Sequence, residues 1–213
     1  MNKAYFLLAF ALLILGIYNP IFAQKKKPSA KKDYLVTIST EFGEMRLILF
    51  DDTPIHKENF LKLCEEGFYN GATFHRVMKG FMIQGGDPNS KEGGDATQIG
   101  RGGPGYTLEA EFRQHHKHQR GALAAARQPD RVNPEKRSSG SQFYIVHKDD
   151  GARHLDGSYT VYGQLIAGFE VLDKIAEQQV GRGNRPVKDI RMQVSCELMK
   201  KKKISKLYGY TYP

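Results

Sequence analysis

Arg76 is the residue whose chemistry fits least well with its neighbours in the chain. In FHRVMKGFMIQGG, residues 74–86, a permanent cation stands between apolar, aromatic and sulfur-bearing runs that close on a glycine pair. A guanidinium keeps its charge at any physiological pH and presents forked donors, so it can hold an uncharged polar group inside a greasy cleft. Two pairs of residues accompany it at strand spacing. Met82 and Gln84 are two apart, as are Gln142 and Tyr144 in SSGSQFYIVH, residues 138–147. In extended chain each pair projects from one face, while Ile83 and Phe143 turn to the other. Arg76, Gln84 and Gln142 are poor core residues, and their grouping predicts a site rather than packing alone.

Other motifs lose their meaning in context. GRGGPG at residues 100–105 has the glycine spacing of a dinucleotide loop, but no strand precedes it, Pro104 interrupts it and no suitable helix follows. The histidines of HHKH, residues 115–118, have no nearby cysteine and no HExxH spacing, so they read as a solvated loop, and no metal is expected. Ser139, Ser141 and Ser158 lack the G-x-S-x-G elbow of a serine hydrolase, and the carboxylates single out no acid–base pair. No cofactor is called for.

The elements that must position Arg76 are short. Alternation and β-branched or aromatic content predict eight strands, over residues 34–39, 44–50, 73–77, 81–84, 122–126, 142–147, 160–165 and 191–198. TEFG between the first two suits a hairpin. One helix opens at Thr53 with Pro54 just inside and stops at Gly67; a second covers residues 169–178, with Leu172, Ile175 and Ala176 on its apolar stripe. Mainly β content with two amphipathic helices predicts a closed eight-stranded antiparallel β-barrel capped by helices. Residues 85–120 and 127–141 are too long for plain turns and are expected to build the site.

The chain has 213 residues, 40% hydrophobic and 26% charged, enough for one domain with a real core. Residues 5–18 are almost unbroken apolar chain after Lys3, followed by Asn19, Pro20 and Ala23, which reads as a signal peptide over residues 1–23 and predicts export to a periplasm or the medium. An uncleaved anchor is the competing reading, and Lys25, Lys26 and Lys27 would favour it. The net charge of +9 divides into +10 at the two ends and −1 between them. That assigns residues 24–33 to a lysine-rich linker, 34–199 to the domain and 200–213 to a solvated basic tail. It argues against nucleic acid as a partner and leaves the membrane only an uncleaved leader or weak tail attraction to anionic surfaces. Two cysteines, Cys64 and Cys196, make no disulfide framework, and sequence leaves open whether they meet.

Together, the stretch around Arg76, SSGSQFYIVH and HLDGSYTVYGQL at residues 154–165 resemble, in order and spacing, the cyclophilin family of peptidyl-prolyl cis/trans isomerases. The signature of that family includes F-H-R, G-F-M-x-Q-G-G-D and G-S-Q-F-[FY]-I. The resemblance covers about residues 34–197, and the family fold is an eight-stranded antiparallel barrel capped by two helices. It implies that Arg76 is the catalytic arginine and that Phe81, Met82, Gln84, Ala126, Gln142, Tyr144 and Leu155 surround a proline pocket. It also marks departures at Arg127, where asparagine is frequent, at His154, where many members have tryptophan, and at Tyr159, where many have histidine. Tyr144 replaces a commoner phenylalanine and brings a hydroxyl that needs a partner. These changes put affinity for cyclosporin-type ligands and substrate preference in question.

The implied reaction is a rotation that breaks no covalent bond, so it needs no nucleophile, metal or general base. The implied partners are proline-containing peptides and unfolded segments of exported proteins, with the chain a monomer. A non-catalytic proline-peptide-binding chaperone module on the same fold is the alternative.

Overall fold

A computed structural model describes residues 30–212. The leader expected over residues 1–23 and most of the expected linker lie outside them. Among the described residues no helix is long and apolar enough to cross a membrane.

Strands β1 (Lys32–Thr40) and β2 (Gly43–Leu49) form the expected hairpin, with Thr40 opposite Gly43 and the Thr40 hydroxyl accepting from the Phe42 amide at 3.1 Å. Helix α1 (Pro54–Glu65) follows. Its Thr53 makes no side-chain cap; instead Glu111, far along the chain, accepts from the Ile55 and His56 amides at 3.1 and 2.9 Å and from His56 Nδ1 at 2.6 Å. A carboxylate at a helix N-terminus satisfies orphan N–H groups and opposes the positive end of the dipole. Lys57 on the same helix is buried yet paired, with Nζ 2.7 Å from Asp33 and 2.6 Å from Asp51, which locks α1 onto the first hairpin.

The remaining elements are β3 (Arg76–Met78), β4 (Met82–Gly85), β5 (Thr107–Leu108), β6 (Ala122–Ala125), β7 (Ser138–Ser139), β8 (Phe143–Val146), β9 (Val161–Ala167), α2 (Phe169–Ala176), β10 (Gln193–Lys200) and α3 (Lys201–Tyr208). All eight predicted strands join one antiparallel sheet in the order β10-β1-β2-β9-β6-β8-β4-β3. The third is displaced from its expected place at 73–77. Residues 71–74 instead exchange main-chain bonds with 190–192, Gly71 N to Met192 O at 2.9 Å, Met192 N to Ala72 O at 2.8 Å and Phe74 N to Ile190 O at 3.0 Å, so the ladder of β3 begins only at Arg76.

Alternation sorts the sheet into two faces. Leu123, Ala125, Phe143, Ile145, Ile83 and Val77 enter the main core beneath α1 and α2. Ala122, Ala124, Tyr144, Val146 and Met82 point to the opposite face, where a second apolar cluster forms with Phe81, Leu155 and Tyr159 against it. The alanines of β6 matter there, because small side chains leave a hollow where leucines would fill the space.

Two expectations need correction. The lysine-rich end is not a solvated tail. It forms α3, which buries Ile204 at 0% exposure against Leu35, Ile48 and Met199, with Tyr208, Tyr210 and Tyr212 packed around it. Ile204 and Tyr208 stand one helical turn apart, an apolar stripe that the surrounding lysines disguise in sequence. Among the described residues the expected two α-helices therefore become three. Cys64 and Cys196 are both free thiols. Cys64 lies in the core on α1 and Cys196 packs against it from β10, where the neighbouring Cys64 thiol, and then burial, push the Cys196 thiol far up.

Candidate active site

The register of the sheet aligns a row of side chains on the alanine face. Arg76 pairs with Gln84, Gln84 with Tyr144, and Tyr144 with Ala124, across β3, β4, β8 and β6. One step along, Met78 pairs with Met82 and Met82 with Val146. A cavity of about 510 Å³ opens over this row. Its floor and walls carry Arg76, Phe81, Met82, Gln84, Ala126 and Tyr144, and its far side carries Arg127, Leu155 and Tyr159. The two remaining sequence-derived site residues stand one layer out. Gln142 is buried behind Gln84, and His154 is exposed at the rim, its ring stacked on Phe81 at 5.9 Å between centroids.

A chain of hydrogen bonds fixes the arginine. Arg76 Nη1 donates to Gln84 Oε1 at 3.2 Å, Gln84 Nε2 to Gln142 Oε1 at 3.0 Å, and Gln142 Nε2 to Gly102 O at 2.8 Å and Asp87 Oδ2 at 3.3 Å. Arg76 Nη2 faces Met78 Sδ at 3.1 Å. No carboxylate among the described residues pairs with Arg76, so the field of its half-buried charge is available to whatever occupies the cavity. Asp87 is fully buried and anchors the other end, accepting from the amides of Asn89, Gly100 and Gly102 at 2.8, 2.5 and 3.0 Å. This is the physical use of GRGGPG: a Cβ on Gly102 would overlap the Asp87 carboxylate. The loop so held places Ala96, Ile99 and Gly100 on the cavity wall, as its length suggested.

The Tyr144 hydroxyl finds its partner in His118, whose Nε2 lies 3.0 Å away. His118 Nδ1 is 2.8 Å from Asp156, and the same carboxylate accepts the His118 amide at 2.9 Å. A carboxylate can only accept, so Nδ1 carries the proton and Nε2 accepts from the tyrosine. Burial holds the His118 ring below its ordinary pKa despite the opposing Asp156, and burial pushes Tyr144 well up, so both are neutral. His118 corrects the reading of HHKH as a solvated loop: this histidine is 0% exposed. Arg127 is likewise not a free charge. Its side chain is 4% exposed, bonded to Ser158 O at 2.7 Å and Asp130 Oδ1 at 2.5 Å, with its guanidinium 4.4 Å from the Tyr159 ring centroid. It clamps the 127–141 loop to the pocket wall.

Sequence reasoning missed His75, Arg182, Gly183 and Arg185, which also line the cavity. The last three come from the turn between α2 and β10, and no local signal ties that turn to Arg76. Among the cavity's lining residues there is no carboxylate, so the wall facing an incoming peptide is cationic.

Comparison with known proteins agrees with this geometry. Residues 35–197 match the model of the family described as cyclophilin type peptidyl-prolyl cis-trans isomerase/CLD. The chain is 41% identical over 162 residues to peptidyl-prolyl cis-trans isomerase CYP18-1 of Arabidopsis thaliana, covering 74% of this chain and 91% of that protein. It is 38% identical over 164 residues to the human peptidyl-prolyl cis-trans isomerase-like 3, covering 74% and 92%. A crystal structure of a cyclophilin type isomerase from Cryptosporidium parvum superposes with a TM-score of 0.67 at 30% identity, over 78% of this chain and 98% of that one. A second structure of the same protein, in the presence of the dipeptide Ala-Pro, gives 0.65 at 31%, over 76% and 98%. A cationic, apolar-walled cavity on an antiparallel sheet and these relatives lead to one conclusion: the chain belongs to the cyclophilin-type peptidyl-prolyl cis-trans isomerases.

Proposed function

We propose that the chain accelerates X–Pro rotation in unfolded segments of exported proteins, with Arg76 stabilising the twisted amide inside an apolar pocket. The observation that carries this reading is the position of Arg76: on the cavity wall, held by Gln84, with no carboxylate of the described residues neutralising it. Amide resonance sets a barrier of about 18–20 kcal/mol and gives uncatalysed relaxation over roughly 10–100 s. As the bond twists, electron density returns from the carbonyl oxygen to the prolyl nitrogen, which becomes pyramidal and a better acceptor. A guanidinium beside that nitrogen gains attraction as rotation proceeds, the differential binding that lowers a barrier.

A rate gain of about 10⁵ corresponds to roughly 7 kcal/mol, and one charge-assisted hydrogen bond contributes about 1.5–3 kcal/mol. The balance falls to the walls. Phe81, Met82, Tyr144 and Leu155 bury the proline ring and exclude water, which strengthens the field of Arg76, while Gln84 and Gln142 orient the moving peptide. The dipeptide Ala-Pro used with the Cryptosporidium parvum relative supports a proline-containing ligand here. The exposed His154 at the rim offers less apolar cover than tryptophan, so weak binding of cyclosporin-type ligands belongs to the same proposal.

The sheet itself is taken as a closed barrel, joined where residues 71–74 meet 190–192. Export, a monomeric state and the absence of a nucleic-acid partner rest on the sequence, chiefly on the apolar run at residues 5–18 and the near-neutral middle of the chain. A protease-free isomerisation assay on residues 24–213, with Arg76→Ala beside the parent, tests the catalytic reading. Absence of catalysis in both proteins would overturn it.

A further inference from the structure

We propose that Asp52, His115 and His116 form a binding site for a divalent transition ion, with zinc the best fit, a property separate from isomerisation. The two histidines are neighbours in sequence, so nothing obliges their rings to converge. Yet His115 Nε2 lies 2.8 Å from one oxygen of Asp52 and His116 Nε2 lies 2.7 Å from the other, and all three donor atoms fall within 4.8 Å of one another.

The surroundings hold this arrangement in place. The His116 ring stacks on Phe50, with centroids 3.9 Å apart, which fixes its orientation, and the two imidazoles meet edge-on at 4.3 Å. Arg113, on the same segment, spends its guanidinium on the main-chain carbonyls of Asp52 and Phe112, at 2.8 and 3.2 Å, and leaves the carboxylate to the histidines. The segment is anchored on both sides. Glu111 caps α1, and His118 is bound to Asp156 and Tyr144.

The donor set decides which ion fits. Two imidazole nitrogens with one carboxylate suit zinc and its neighbours in the first transition row, whereas calcium and magnesium want oxygen throughout. Tetrahedral bonds of about 2.0–2.1 Å need ligand atoms about 3.3 Å apart, so the two His–Asp separations of 2.8 and 2.7 Å have to open by roughly half an ångström. It can, because the side chains of Asp52 and His115 are 42% and 67% exposed. The same exposure leaves the fourth position to water. A bound ion would fasten the 111–118 segment to the turn before α1.

The test is calorimetric titration of the untagged, chelator-treated protein with zinc chloride, repeated with His115→Ala and Asp52→Asn. The expected result is one zinc per chain and an affinity loss of at least about tenfold in each variant. His115→Ala alters an exposed side chain and leaves the fold intact, so a change there reports the site. Cobalt(II) gives a second readout: the parent should develop visible bands of a four-coordinate site that His115→Ala lacks. No uptake of zinc by the parent, or affinity unchanged from the parent in both variants, overturns the proposal. The second outcome would assign any uptake to groups elsewhere, such as Cys64 and Cys196.

Discussion

Replacing Tyr144 with phenylalanine restores the residue commoner in the family, so sequence resemblance alone would predict a harmless change. The structure predicts otherwise. The hydroxyl is the partner of His118 Nε2 at 3.0 Å, and His118 is fully buried, with its other ring nitrogen committed to Asp156. Without the hydroxyl, the buried His118 Nε2 loses the donor it accepts from. The penalty for such a group is about 1–3 kcal/mol. For a domain of this size each kcal/mol lowers Tm by about 2–4 °C, so the expected loss is of the order of 2–12 °C. Catalysis should change far less, by under about threefold, because the aromatic ring that floors the pocket stays in place. Urea and thermal unfolding of Tyr144→Phe, run beside the isomerisation assay, separate the two quantities. Unchanged stability would refute the buried tyrosine–histidine bond, and a large loss of turnover at unchanged stability would move the hydroxyl into the chemistry.

Burial lowers the pKa of His56, His75 and His118 below the ordinary value of 6.5, so the folded state binds fewer protons than the unfolded chain in mildly acid solution. Stability should therefore be complete above pH 6.5 and decline as the pH falls toward the folded-state values, by about 1.4 kcal/mol per unit of separation for each histidine; a urea midpoint flat between pH 7 and 5 contradicts this. Ile204→Ala should cost about 2–5 kcal/mol in unfolding free energy, since Ile204 is fully enclosed by α3 and the first hairpin; a cost under half a kcal/mol would return residues 200–213 to the status of a solvated tail. Peptides with a glutamate within two positions of the proline should be turned over severalfold faster than lysine counterparts at low salt, because Arg76 and Arg182 line the cavity with no carboxylate of the described residues paired to them, whereas Arg185 is paired with Asp189 at 3.3 Å. High salt and Arg182→Ala should both flatten that preference, and its persistence in both would exclude a charge effect.

What was legible in the sequence was what alternation and residue type express locally. Tyr144 and Phe143 do enter opposite faces of the sheet, Gln142 does meet Gln84, and Pro54 does open α1. What escaped depended on partners distant in sequence. His118 reads as one of a polar run, and only the meeting of its loop with β8 makes it a buried support for Tyr144. Arg182 and Arg185 come from a turn about a hundred residues beyond Arg76, and Arg127, which also lines the cavity, is held by the main-chain carbonyl of Ser158, 31 residues further on. The C-terminal helix hid for a different reason: lysines on its outer face mask the Ile204 and Tyr208 stripe from any composition count.

The guanidinium of Arg76 is tested most directly by measuring, for one peptide, both the dissociation constant and the exchange rate by NMR in the parent and in Arg76→Ala. Loss of one charge-assisted interaction made in the transition state, about 1.5–3 kcal/mol, predicts that kcat/KM falls by roughly 10- to 150-fold while ground-state affinity stays within about threefold. An unchanged rate, or a loss of affinity as large as the loss of rate, would contradict the account.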